Sequence, residues 1–264
     1  MNYAQLLFPD FSLIACGWLL CRYTPLDRRV WDQVESLVYY FLFPVLLFHS
    51  IVRSPLDFGA TSNLLTAGVG VGLCGIALAD RVAGPEGLLM IAVLIGVCVP
   101  MFNIAAVWPM TRHAQTGLAR QLLRNPLIIA TVSGLVANLL GLGVPGWLEP
   151  TLTRIGAASL ALGLMAAGAG MQFATIARGK VLAVSVLTIR HLLLPLIAWG
   201  LAVVLQLHPA QAAVLLTFAA VPTASSAYVL AARMGYNGPY VAGLVTLSTL
   251  LGVASLPFAL ALIR

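Results

Sequence analysis

The amino-acid sequence predicts an all-α integral membrane protein of about nine spans, built as inverted five-helix repeats with a broken crossover helix. Three observations carry that prediction. First, 61% of the 264 residues are hydrophobic and 8% are charged, where soluble domains carry roughly 25% charged residues. The mean hydropathy is +0.99. Second, the charges gather in short links between long apolar runs. Third, the stretch 191–232 contains no carboxylate, lysine or arginine, and Pro222 stands near its C-terminal third. Proline lacks an N–H and clashes with the carbonyl one turn back, so a straight helix is not expected there.

The same composition excludes several classes. The net charge of +6 comes without a basic, aromatic-rich patch, so no nucleic-acid partner is expected and positive-inside placement explains the charge. No basic n-region or small-residue cleavage site precedes the first apolar run, so no cleavable signal peptide is expected. Cys16, Cys21, Cys74 and Cys98 lie in or beside apolar runs without metal spacing, and they read as packing residues. His49, His113, His191 and His208 are scattered, with no pair at a ligand spacing. Phosphate-binding loops, dinucleotide fingerprints and nucleophile elbows are absent from the sequence. Neither an enzyme nor a cofactor or metal centre is expected.

A helix needs about 20 apolar residues to cross the hydrocarbon core. The apolar runs centre on Ile14, Phe43, Val69, Gly96, Ser133, Leu164, Leu194, Pro222 and Leu250. Pro44 marks the second run. Asn125-Pro126 opens the fifth, because proline suits the first helical turn. The Gly-rich runs 68–72 and 163–170 allow close helix packing.

Basic links test the topology. Arg22, Arg28 and Arg29 follow the first run, and Arg112, Arg120 and Arg124 follow the fourth. Arg178 and Lys180 follow the sixth, and Arg233 ends the eighth. The last three clusters are two runs apart, so they share the cytoplasmic side. Counting three runs places the first cluster opposite them, in conflict with the rule. The segment 60–86 is about 27 residues long, whereas two full spans need about 40. It holds a short re-entrant pair, or the first half has another topology, or a piece has been lost. The organisation that follows is a first repeat over 1–111, shortened around 60–86, a cytoplasmic link over 112–125, and a second five-helix repeat over 126–264. An odd number of helices per repeat makes the two halves inverted.

Polar residues inside apolar runs are the candidate binding groups. Arg190 lies about 15 Å along a helix from Lys180, near mid-depth. A central arginine costs about 2.5–3.5 kcal/mol on insertion scales. It reads either as an anion-attracting charge or as a side chain that snorkels or binds carbonyls freed by Pro195. Thr223, Ser225 and Ser226 stand where a half-helix begins after Pro222, and exposed N–H groups there favour a carboxylate. Their alternative role is small-residue packing. Asn103, next to Pro100, either binds loosened carbonyls or faces a cavity. Tyr228 either stacks on a substrate or packs. Asn138 and Gln172 lie towards span ends, and Asp10 and Glu35 read as span-end markers, with a proton-carrying role as the alternative.

At these residues the chain resembles the auxin efflux carrier family, particularly its bacterial members. The resemblance runs through Phe8-Pro9, 17–20, 43–48, 84–87, 99–103 and 123–127, and is most specific at 221–228 (VPTASSAY). It implies ten helices in two inverted repeats, with the fourth helix of each repeat broken and the breaks crossing at the substrate site. It also implies transport of organic anions such as auxin or dicarboxylates without ATP hydrolysis. The chain departs from the pattern where the charge count fails, because 64–68 runs almost directly into 75–79. Residues of the second crossover carry over: Pro222, Thr223, Ser225 and Ser226, with Arg190 where the family often has a basic residue.

The expected function is thus alternating-access movement of a small organic anion across the cell membrane, a bacterial inner membrane, in a multi-pass chain. Its partners are the anion, the lipid bilayer and a second copy in a homodimer. A sodium-coupled organic-acid symporter and a non-transporting protein impaired by the shortened repeat are the alternatives.

Overall fold

Helix boundaries follow from prolines and polar caps, and the computed structural model describes residues 3–54 and 124–262. Every element among them is helical. The first helix, α1, spans Tyr3–Tyr23. Asp27 then caps α2, its carboxylate accepting from the amides of Arg29 at 3.0 Å and Val30 at 3.3 Å. Helix α2 covers Arg28–Val52 and widens into a π-turn at Val38–Leu42, just before Pro44. The amide of Phe43 bonds to the carbonyl of Val38 there, a spacing that absorbs the donor missing from a nearby proline.

Helix α3 spans Pro126–Leu139. As expected from Asn125-Pro126, the Asn125 side chain accepts from the Leu127 amide at 3.0 Å. At about 21 Å, α3 is shorter than the expected full span. Its stop is local: Gly141 takes a φ of 68°, and Leu142 N–H donates to Ala137 at 2.9 Å while Gly141 N–H donates to Asn138 at 2.9 Å. This pairing ends a helix at a left-handed glycine.

Helix α4 covers Glu149–Gly170, α5 Phe173–Arg178 and α6 Lys180–Val204. A second π-turn at Ile189–Leu193 precedes Pro195 in α6, repeating the device of α2. Helices α7 (Pro209–Ala220) and α8 (Ser225–Arg233) meet at 43°. Helix α9 covers Gly238–Ala261. Among the described residues, α2, α4, α6 and α9 are long and apolar enough to cross a membrane, and α7 with α8 makes a fifth span if counted as one. The expected spans centred on Val69 and Gly96, and the glycines of 68–72, lie outside the described residues.

Small residues bring the helices together. Helix α1 packs most extensively on α4, where a Cβ on Gly17 would strike the Met165 carbonyl and one on Gly168 the Ile14 carbonyl. The expected close packing of the 163–170 run is borne out at Gly168. The second half of α2 packs on α3, with Gly134 set against the backbone of Phe48. Helices α6, α7 and α9 pack on one another, and α8 joins them through α9.

Contacts at the helix ends fix which links share an end of the bundle. Arg233 at the end of α8 lies against Asp32 and Glu35 in the first turns of α2. At the opposite end, Asn138 Nδ2 donates to the carbonyls of Ile51 (2.8 Å), Val52 (3.0 Å) and Ser54 (2.6 Å). Arg53 pairs there with Glu149 at 3.1 Å. Arg28 and Arg233 therefore share one end and Arg53 stands at the other. Because α3 ends beside residues 51–54, its start at Arg124 points away from the Arg53 end. The charge count left the side of the first basic cluster in conflict with the rule, and this contact puts Arg28 with Arg233. The count took the span number from a segment that lies outside the described residues, whereas direct contact does not depend on it.

Candidate functional site

Pro222 is buried, and its missing N–H leaves α7 without the donor that would continue it. The helix stops at Val221, whose backbone turns extended at φ −64° and ψ 143°. Backbone groups freed in an apolar interior must find partners, and side chains from two other helices supply them. Arg190 Nε donates to the Val221 carbonyl at 3.0 Å. Ser255 Oγ donates to the Ala220 carbonyl at 3.2 Å. The Thr223 amide donates to Ser248 Oγ at 2.8 Å, and the Thr223 hydroxyl donates to the same oxygen at 3.1 Å.

His191 ties the two serines together, with Nδ1 2.8 Å from Ser255 Oγ and Nε2 2.8 Å from Ser248 Oγ. Hydrogen-bond roles decide the tautomer. Ser255 spends its proton on Ala220, so it accepts from Nδ1–H. Ser248 accepts from Thr223, so its own proton goes to Nε2. A directed chain thus runs from the Thr223 amide through Ser248, His191 and Ser255 to the Ala220 carbonyl. It closes the break like a staple.

The π-turn of α6 positions this chain, because Arg190 and His191 are both part of it. A π-turn shifts the side chains that follow relative to a regular helix. That shift lets neighbouring residues both point at the break. Arg190 therefore does bind a carbonyl, but one freed at Pro222 and not at Pro195.

Helix α8 then restarts at Ser225 with Ala224 as an extended cap and no side-chain hydrogen bond on its first amides. Ser225 is buried and lies beside Gly163, where an added Cβ would stand 3.0 Å from its Oγ. Thr223 and Ser226 are half-buried. A family model described as membrane transport protein, the auxin efflux carrier domain, matches residues 62–260, well over half of the chain and including this whole break. The chain belongs to the auxin efflux carrier family. No curated protein matches it.

In this carrier-family chain the structure brings together Arg190, Pro222, Thr223, Ser225 and Ser226 around one break. Tyr228 is set apart. It is fully buried and its hydroxyl donates to Glu35, so its ring packs between helices. Asn103 lies outside the described residues. Asn138 holds the end of α2, while Gln172 is exposed and its carbonyl accepts from the Thr175 hydroxyl at 2.6 Å. Glu35, read as a span-end marker, is instead buried at 1% exposure.

Sequence reasoning missed His191, Ser248 and Ser255. One signal was available: Ser248 and Ser255 are seven residues apart, two turns on one face of the last span. His191 adjoins the arginine already singled out.

Proposed function

We propose that the chain is a multi-pass transporter of the cell membrane that moves a small organic anion by alternating access, without ATP hydrolysis. The single observation that carries the reading is the break at Pro222, held open by Arg190, Ser248 and Ser255 instead of being lost to a regular helix. A bent span with satisfied backbone groups is how an apolar bundle presents amide donors at mid-depth. The uncapped first turn of α8, flanked by Thr223, Ser225 and Ser226, suits a carboxylate through its N–H groups and dipole. The arginine that anchors Val221 adds positive charge in a medium where charge acts over longer range.

The packing supports the two-repeat organisation, with 1–111 and 126–264 as the repeats and 112–125 as the link. If α1 and α2 correspond to α3 and α4, exchanging the repeats turns the α1–α4 pair into the α3–α2 pair. These are the two most extensive packings among the described helices. Such an exchange is what a two-fold axis between inverted repeats produces.

The test is uptake of radiolabelled small carboxylates into proteoliposomes holding the purified chain, with and without sodium. The reading predicts saturable uptake that needs neither ATP nor sodium. Arg190→Gln and Ser225→Ala should lose most of it while eluting as folded protein. Unchanged uptake in both variants would overturn the site assignment.

A further inference from the structure

Two sets of described helices meet along a packed seam. Helices α1 and α2 pack on α4 and α2 on α3, while α6, α7 and α8 pack on α9; across the seam α1 and α4 pack on α9, and α4 packs on α8. The seam between them is mostly apolar or small, as where Gly170 of α4 meets the Tyr228 ring. Among the described residues, polar side-chain contacts between the two sets meet at Glu35 and Asp32. Tyr228 Oη donates to Glu35 Oε1, Arg233 Nη2 stands 3.8 Å from Glu35 Oε2, and Arg233 also donates to the Asp32 carbonyl.

Glu35 is the centre of this cluster. On its own helix it accepts from Arg28 Nη2 at 2.5 Å, and Arg28 is shared with Asp32 at 3.0 Å. Both members of the cross-seam pair on α8, Tyr228 and Arg233, belong to the helix that begins at the break. The cluster is also incompletely satisfied. Arg28 Nη1 and Arg233 Nε are buried without a hydrogen-bond partner. Glu35 is buried while the Arg28, Asp32 and Arg233 side chains are partly exposed, and a network with unmatched donors holds its partners less firmly than a fully matched one. An apolar contact would join the helices more firmly.

We propose that Glu35 is the positioning carboxylate of a latch that holds the half-helix α8 against α2, and that the latch must open for the break at Pro222 to change its exposure. The proposal rests on the alternating-access reading above. In the latched state, Tyr228 is fully buried and α8 is fixed at both ends, by the His191–Ser248 staple at its start and by Glu35 and Asp32 at its finish. Release at Glu35 leaves the finish held only by the Arg233 bond to the Asp32 carbonyl. The start is still stapled, so α8 swings about the break once that single bond lets go.

The experiment uses the full chain in proteoliposomes, with its four cysteines replaced by serine and a reporter Ser226→Cys. A membrane-impermeant maleimide is applied from each side in turn without substrate. Removing one charge-assisted bond should raise the labelling rate from one side about 10-fold in Glu35→Gln. Tyr228→Phe should move it the same way, and Glu35→Asp should restore most of the slow rate. A merely structural role would lower thermal stability without changing which side labels. Unchanged labelling in both Glu35→Gln and Tyr228→Phe overturns the latch, and if Glu35→Gln does not fold, Tyr228→Phe alone decides. Anion uptake is measured in parallel on the chain that keeps Ser226, with and without Glu35→Gln. Uptake with unchanged labelling overturns the latch alone, while absent uptake with faster labelling overturns the transport reading and leaves the latch standing.

Discussion

Replacing Ser248 with alanine removes the central link of the staple at the break. Ser248 Oγ accepts the Thr223 amide at 2.8 Å and its hydroxyl at 3.1 Å, and bonds His191 Nε2 at 2.8 Å. An amide left without a partner in a buried setting costs about 1–3 kcal/mol, and the lost histidine bond about 1 kcal/mol more. The sum, about 2–4 kcal/mol, corresponds to a roughly 30- to 1,000-fold rise in local opening. Hydrogen exchange at the Thr223 amide reads that opening directly. Thr249→Val is the matched control, because the Thr249 hydroxyl donates to Val245 of its own helix at 2.9 Å. Its loss leaves no backbone group stranded, and the change should stay within about 0.5 kcal/mol. Equal exchange at Thr223 in the two variants would refute the backbone accounting of the break.

Four other perturbations test the frame around it. Asn138→Ala removes the donor to three carbonyls at the end of α2, and should lower stability by about 1–3 kcal/mol in a thermal unfolding assay while leaving the preference among anions unchanged. Gly168→Ala drives a methyl into the Ile14 backbone, so overpacking of at least about 1–3 kcal/mol should appear as a lower melting temperature or a loss of folded protein. Glu149→Gln breaks the Arg53 pair, whose side chains are 58% and 39% exposed. It should change stability by less than about 1 kcal/mol. Single cysteines at Arg29 and Arg124 should label from one side of the membrane, and a cysteine at Arg53 from the other.

Much of the fold was legible because its signals are local. Asn125-Pro126 sets a helix start through one side chain and one ring, and the sequence pattern shows both. Pro222 announces the break for the same reason. The length of α3 was less legible. Its apolar run continues past Leu139, and only the left-handed turn at Gly141 stops it. Long-range partners were the least legible. Nothing local assigns Arg190 to Val221 over the carbonyls near Pro195, since the choice depends on how α6 lies against α7. Glu35 reads as an end marker by position, yet its burial comes from Tyr228 and Arg233, nearly two hundred residues away. The orientation of the first basic cluster likewise needed a contact, because a count of spans inherits every error in the segments it passes through.

The central claim is that the break at Pro222 is an anion site in a transporter. Charge movement on a solid-supported membrane, recorded when small carboxylates are added to the reconstituted chain without ATP or sodium, tests it most directly. The account predicts a saturable current of negative charge that Arg190→Gln abolishes. No current in the unaltered chain, or an undiminished current in Arg190→Gln, would contradict it.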